Sequence, residues 1–469
     1  MAAGQPEPTR TVVVMGAAYG GTRAAQLIAA GLPDGWRIVL VDRNSHVNHV
    51  YILPRLAVLP GHEHKAFVPY DNVFLQEDNL DCKHTFIQAR ITSLNRNSVT
   101  LSKAFPEYGI DTETLHFDYA VYALGSHLPA PLNLWGSEPD GKTASHTYGG
   151  SKPESIAWLK GKQKTIEDAT SVLVVGGGAL GIQFATDIAA VHPGKPVTLL
   201  HSRSRLLPRF DHAMHTEILQ SLESANVDVI LGERLDLSST KPGHRTVHTM
   251  TGREVNADLI LLCTGQRPNT DFLKSLDPNT VDPSTSLAHV LRTMQLGVLS
   301  VPSTSAAPSV VDATPAHEDF TSALEAALEQ IALQDLAADA HHDAEDDDAQ
   351  EDDDDDEAET TPYPHIFVVG DAADAFGAIP AGHNAYYQAE VAARNVLRLI
   401  RRDERLADEA LELYTPGAPA IKVSLGLKKN VYQVNGVVGV GKEERDDLNA
   451  PAIWSYFGFQ IKDEAEMYL

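Results

Sequence analysis

Three short segments of this 469-residue sequence place glycines where a phosphate-bearing ligand needs them. The first is Gly16-Ala17-Ala18-Tyr19-Gly20-Gly21, between an apolar run, Thr11 to Met15, and a helical stretch, Thr22 to Ala30. A second apolar run, Arg37 to Val41, ends at Asp42. Strand, tight turn, helix, strand and acid make one βαβ unit. A pyrophosphate sits well at a helix N-terminus, where unpaired N–H groups and the helix dipole face it. Glycine lets the backbone come close. Gly16, Ala18 and Gly21 fill the three positions as GxAxxG, and the Asp42 carboxylate can accept both hydroxyls of an adenosine ribose.

The second unit repeats this order. Ser171 to Val175 leads into Gly176, Gly178 and Gly181 as GxGxxG, then a helix, Ile182 to Ala190, and a strand, Pro196 to Leu200. The strand-end acid is missing; His201-Ser202-Arg203-Ser204-Arg205 stands there. A carboxylate at this place favours NAD, whereas a hydroxyl with arginine can hold a ribose 2′-phosphate. Ser202, Arg203 and Arg205 therefore tilt the choice toward NADPH and leave NADH open. The third segment, His365 to Val369, ends in Gly370-Asp371, where an aspartate can bind a polyol hydroxyl; a helix, Asn384 to Arg402, follows. Two further strands end in Gly125 and Gly265 and would close the two sheets. Two dinucleotide sites in one chain call for hydride transfer between a nicotinamide and a flavin. That step needs proximity and orientation more than an acid or base, so no catalytic triad is expected.

Composition sets the surroundings. Apolar content of 43% and aromatic content of 7% suit a soluble globular core. Cys82 and Cys263 give neither a CxxC, a zinc pattern nor a disulfide framework. Histidines at 46, 49, 62, 64 and 84 fit no standard ligand set, so no metal is expected. No apolar run reaches the roughly 18 residues of a membrane helix, and the polar start lacks a secretory h-region. The expectation is a cytoplasmic protein. The formal charge of -27 is local: Thr293 to Thr360 holds twenty acidic residues and no Lys or Arg, leaving -7 on the rest. Nucleic acid is a poor partner for such a chain. Within this insert, Glu318 to Ala338 has the spacing of an amphipathic helix, and the aspartate tract His341 to Glu359 is expected to be disordered. Tyr414 to Gly441 reads as short strands with glycine turns, expected to pack on the flavin side and shape an acceptor pocket. The aromatic stretch Ile453 to Phe459 is expected to enter the protein's own core or a subunit contact.

Several segments together carry a family resemblance: Asp42 to His49 with Leu53-Pro54-Arg55, Gln88 to Ile91, Gly177 to Asp187, Thr264 to Asn269, Phe367 to Asp371, and Gln388-Ala389-Glu390. The chain resembles the two-dinucleotide-binding-domain flavoproteins of the pyridine nucleotide-disulfide oxidoreductase superfamily. Within it, it looks most like fungal apoptosis-inducing-factor-like, mitochondrion-associated oxidoreductases, relatives of ferroptosis suppressor protein. The match covers about 11 to 295 and 363 to 440. The resemblance implies that Gly16, Ala18, Gly21, Asp42, Arg43, Pro54, Arg55, Ala89, Gly125 and Asp371 hold FAD. It implies that Gly176, Gly178, Gly181, Ser202, Arg203, Arg205 and Gly265 hold NAD(P)H. Family members commonly reduce quinones, some in membranes, which implies a quinone-like acceptor, mitochondrial or peripheral membrane association, and a homodimer. Electron donation to a protein partner, as in ferredoxin reductases, and redox-sensing cell-death signalling are the alternatives.

The chain departs from the superfamily in three places, the third being the acidic insert just before the Gly370-Asp371 strand. It lacks the CxxxxC of disulfide reductases, which excludes their dithiol chemistry. Gln183 stands where many members carry a glutamate facing the flavin-nicotinamide junction. His49, Gln183 and His383 are the flavin-adjacent candidates. The expected fold is α/β, with two Rossmann-like domains and a small C-terminal α+β domain. FAD would occupy 11–130 with 362–410, and NAD(P)H 131–295. The acidic insert, 296–361, would fall between these modules, and 411–469 would form the cap.

Overall fold

The computed structural model describes residues 9–74, 84–135, 148–240, 245–299 and 360–468. Cys82, the expected insert helix and the aspartate tract lie outside the described residues.

Strand β1 (Arg10–Met15) leads into helix α1 (Tyr19–Gly31) and strand β2 (Trp36–Asp42). Strands β3 (Thr85–Gln88) and β4 (Tyr119–Tyr122) extend the sheet on either side. Val12, Val13, Val14 and Met15 of β1 are all fully buried, as a parallel strand covered on both faces must be. After helix α2 (Lys152–Asp168) the same grammar returns. Strand β5 (Val172–Val175), helix α3 (Ala179–Val191), strand β6 (Val197–His201), helix α4 (His212–Ser224) and strands β7 (Val227–Leu231) and β8 (Leu259–Leu262) build a second module. Its sheet is parallel, in the order β7-β6-β5-β8.

The chain then rejoins the first sheet through β9 (Gln295–Leu296) and β10 (Tyr363–Val368), followed by helix α5 (Gly382–Asp403). The first sheet runs β9-β10-β4-β1-β2-β3, parallel except for β9. Helix α5 packs along α1, and Arg23 bonds Glu390 between them at 2.6 Å. Both βαβ units stand where the glycine punctuation placed them.

Two expectations are corrected. The acidic insert does not fall between modules. Its flanking strands β9 and β10 are antiparallel neighbours in the first sheet, so it interrupts that sheet's edge. The cost of closing such a loop grows only logarithmically with its length, so the pairing survives a long insertion. The C-terminal strands β11 (Ile421–Ser424), β12 (Lys429–Val434) and β13 (Val437–Lys442) do not pack on the flavin side. They cover α3 and α4 of the second module. Val423, Leu425 and Val431 share an apolar cluster with Ile182, Phe184 and Ile188. Lys429 pairs with Glu217, and the Asp211 N–H donates to Gln433 Oε1 at 2.7 Å. The last aromatic stretch returns to the first module's core, where Trp454 and Phe457 are fully buried. Among the described residues, no helix is long and apolar enough to cross a membrane.

Candidate functional site

At the first turn Gly16 has φ +92°, and a Cβ there would meet the Ala123 carbonyl oxygen at 2.4 Å. A Cβ on Gly21 would lie 1.8 Å from the Gly16 carbonyl oxygen. Neither position accepts a side chain. Ala18 is exposed and begins α1 with no side-chain cap. Asp42 Oδ2 accepts the Ala17 N–H at 2.9 Å, and Oδ1 accepts the Asn44 N–H at 2.8 Å. Burial pushes the Asp42 carboxyl up, and those donors pull it back.

The helix starts differ in a way that bears on ligands. Helix α2 carries a capping box, Ser151 with Glu154, and α4 is capped by Asp211. Helices α1, α3 and α5 begin at Ala18, Gly178 and Ala381 with no side-chain cap. Each follows one of the three glycine segments. The first N–H of α5, on Gly382, goes to the Tyr51 hydroxyl, whereas the first N–H groups of α1 and α3 are left for another acceptor, and a pyrophosphate is the acceptor whose charge suits the dipole.

The second turn copies the first. Gly176 has φ +121°, with a Cβ there 2.8 Å from the Cys263 carbonyl oxygen, and a Cβ on Gly181 would lie 1.8 Å from the Gly176 carbonyl oxygen. His201 takes the place of the missing acid. Its Nδ1 accepts the Gly177 N–H at 3.0 Å, as Asp42 accepts that of Ala17. Burial pushes the imidazole down, which suits a neutral acceptor. Ser202 and Arg203 are exposed beyond it, whereas Arg205 bonds the nearby Pro208 carbonyl oxygen.

A seam joins the modules where β4 and β8 end. Gly125 and Gly265 both have positive φ, +61° and +85°. Just beyond them Ser126-His127 pairs antiparallel with Arg267-Pro268. Asn269 donates its N–H to the Gly125 carbonyl oxygen at 2.9 Å and its Nδ2 to that of Leu124 at 2.8 Å. Gln266 Nε2 reaches across to Ser126 Oγ at 2.6 Å and to Asp371 Oδ2 at 2.9 Å. Ser126 Oγ donates to the same Asp371 oxygen at 2.8 Å. Sequence reasoning missed Gln266, Ser126 and His201 as site residues. The repeated strand-end glycines were the available signal for the first two.

Other candidates are placed as follows. Ala89 is buried, and its N–H donates to the Asp42 carbonyl oxygen at 2.8 Å, locking β3 to β2 at the acid. Pro54 opens the short helix Leu53–Leu56. Arg55, expected at the flavin, is fully buried. It meets Asp187 of α3 at 2.9 Å and donates to the carbonyl oxygens of Asp446 at 2.8 Å and Gly426 at 2.6 Å. Gln183, expected at the flavin-nicotinamide junction, donates to Ser424 Oγ of the C-terminal sheet at 3.2 Å. His49 Nδ1 bonds the Tyr19 hydroxyl at 2.8 Å, and burial pushes the imidazole down to about 3. Tyr51 lies beside both rings, and its hydroxyl accepts the Gly382 N–H at 2.7 Å. His383 is half-buried in the first turn of α5. Arg43 stacks over Trp135, 4.6 Å from the ring centroid.

Two parallel modules, each with a glycine turn between strand and helix that bars a side chain at its first and last glycines, sewn together at their strand ends, define a two-dinucleotide-domain oxidoreductase. The pyridine nucleotide-disulphide oxidoreductase family model matches residues 10–285, and the chain belongs to that family. It is 37% identical to Fe-regulated protein 8 of Mycosarcoma maydis, over 97% of this chain and 96% of that protein. It is 30% identical to ferroptosis suppressor protein 1 of Taeniopygia guttata, over 55% of this chain and 63% of that protein. The fold is similar to that of a water-forming NADH oxidase from Lactobacillus brevis, with TM-score 0.56 and 17% identity over 90% of this chain and 74% of that one. The family expected from the motifs is the family found. The chain is an oxidoreductase that uses FAD and NAD(P)H.

Proposed function

We propose that this chain passes electrons from NAD(P)H through FAD to a small quinone-like acceptor. The observation that carries the proposal is the pairing of an aromatic cluster with a sequence that has no CxxxxC motif. Tyr19, His49 and Tyr51 lie with ring centroids 5.6 to 6.2 Å apart, and the Asp371 charge reaches the Tyr19 and Tyr51 hydroxyls. Such a cluster suits a flat, conjugated acceptor. Cys263 is free, and burial pushes its thiol up, away from the thiolate that redox exchange requires.

In this reading the start of α1 receives the FAD pyrophosphate and Asp42 its ribose. Asp371, oriented by Ser126 and Gln266, holds the polyol portion. Gly176, Gly178 and Gly181 receive the nicotinamide dinucleotide, with Ser202 and Arg203 at its adenosine ribose and Gly265 beside its path. When bound, the cofactors themselves supply hydride transfer. The protein's part is to hold them in one relation, and the seam is the element suited to that task. A lipid-soluble quinone would be met at a membrane surface, so peripheral membrane contact goes with this proposal.

Purified protein tests it. Extractable FAD, bleached by NADH or NADPH and reoxidised by a short-chain quinone in steady state, is the expected result. Reoxidation by a ferredoxin-type protein but by no quinone would overturn the acceptor and favour the protein-partner reading.

A further inference from the structure

An aromatic residue that no motif announces stands at the ribose end of the first turn. Trp135 lies past β4, in the segment that joins the modules. The guanidinium carbons of Arg43 and Arg90 lie 4.6 and 5.1 Å from its ring centroids. The indole N–H donates to Asn44 Oδ1 at 3.0 Å. Asn44 in turn gives its backbone N–H to Asp42 Oδ1 at 2.8 Å. Tyr148 meets the indole edge to face, with centroids 4.5 Å apart. One side chain thus touches groups from the end of β2, from just beyond β3 and from the far end of its own segment. Those two strand ends frame Asp42.

Independent bonds fix the same rim. Gln88 Nε2 lies 3.2 Å from each of the carbonyl oxygens of Arg43, Gly149 and Gly150. The Ser45 N–H donates to the Gly150 carbonyl oxygen at 2.9 Å. Gly150 has φ +80°, and a Cβ there would lie 2.3 Å from the Arg43 carbonyl oxygen, so the segment runs hard against β2. Tyr148 continues inward to Ser155 at 2.5 Å, and Ser155 to His46 Nε2 at 2.8 Å. Two guanidiniums gathered on one indole concentrate positive charge and flat stacking surface. An adenosine diphosphate group has use for both.

We propose that Trp135 anchors the adenosine end of the flavin site, holding Arg43, Asn44 and Arg90 around Asp42 and so slowing FAD release. This rests on the assignment of the first turn to FAD. Trp135 is a positioning residue, remote in role from the nicotinamide turn.

The test is FAD affinity of the full-length protein, by titrating stripped protein with FAD and following flavin fluorescence, together with the release rate on dilution. Trp135→Ala should raise the FAD dissociation constant about tenfold, because Arg43, Asn44 and Arg90 are no longer held in place around Asp42, and speed release in proportion. Trp135→Phe should recover part of the loss, and the affinity for oxidised NAD(P), measured by calorimetry, should stay within about twofold. Unchanged FAD affinity in a Trp135→Ala protein of wild-type circular dichroism overturns the proposal. If Trp135→Ala does not fold, the decision passes to Arg90→Gln on the exposed rim, which should weaken FAD about threefold; no change there overturns it equally. A wild-type protein that binds no FAD would instead sink the flavin assignment itself.

Discussion

Arg55 and Asp187 meet at 2.9 Å with both side chains fully shielded from solvent. Arg55 comes from the first module, Asp187 from helix α3 of the second, and the carbonyl oxygens of Gly426 and Asp446 that Arg55 also bonds come from the C-terminal region. Three parts of the chain therefore converge on one guanidinium. Removing it leaves a buried carboxylate without its partner. Arg55→Leu should lower unfolding free energy by about 3 to 5 kcal/mol in a denaturant titration. A loss below about 1 kcal/mol would show that the junction contributes little.

The same pair gives a pH dependence with a definite sign. Burial pushes the Asp187 carboxyl up to about 6, against the pull of Arg55. An acid raised on folding holds its proton longer in the native state than in the unfolded one. Its stabilising contribution is full below its ordinary value of 3.8 and is lost as pH rises through about 6. The stability of the wild type relative to Asp187→Asn should therefore fall across that window. A difference that stays flat, or rises, contradicts the assignment.

The two turns should be separable by a single methyl group each. In Gly21→Ala and Gly181→Ala the new Cβ would lie 1.8 Å from a backbone carbonyl oxygen, so the turn must shift. Gly21→Ala should yield protein depleted in flavin. Gly181→Ala should retain flavin yet bind NAD(P)H at least about tenfold more weakly. Flavin content by absorbance and nicotinamide binding by calorimetry distinguish them; loss of flavin in both would mean that the roles of the turns are not distinct.

Donor choice should rest on Arg203 more than on Arg205. Arg203 is exposed beyond β6, whereas the Arg205 guanidinium bonds the Pro208 carbonyl oxygen. Arg203→Ala should raise KM for NADPH about tenfold and leave KM for NADH within about twofold. Equal loss for both donors would remove the 2′-phosphate role.

Gln266 should matter to the flavin although it belongs to the nicotinamide side. Gln266→Ala leaves Asp371 with Ser126 as its remaining hydrogen-bond donor of the two, and FAD affinity should fall about fivefold. Gln266→Glu should cost more, because a second carboxylate would face the first. Unaltered FAD affinity in both variants, measured by fluorescence titration, would reduce the seam to a structural contact.

What the sequence made legible was local. Gly16, Gly21, Gly176 and Gly181 could be read because a strand–turn–helix passage fixes where a side chain is forbidden, and all its atoms lie within a few residues. Asp42 could be read for the same reason. His201 was passed over because its use as an acceptor for the Gly177 N–H replaces a carboxylate by a different chemical group. Arg55 was legible as a candidate, but nothing near it in sequence points to its ion pair with Asp187. The C-terminal strands show an apolar face, but such a face does not say which module will cover it. Trp135 and Gln266 depend wholly on contacts made after folding.

The central claim, that one chain holds both cofactors in hydride-transfer contact, is tested most directly by anaerobic titration of the FAD-loaded protein with NADH and with NADPH. The flavin absorbance should bleach stoichiometrically with at least one donor in the wild type and fail to do so at the same concentrations in Gly181→Ala. A flavin that neither donor reduces in the wild type would contradict the account.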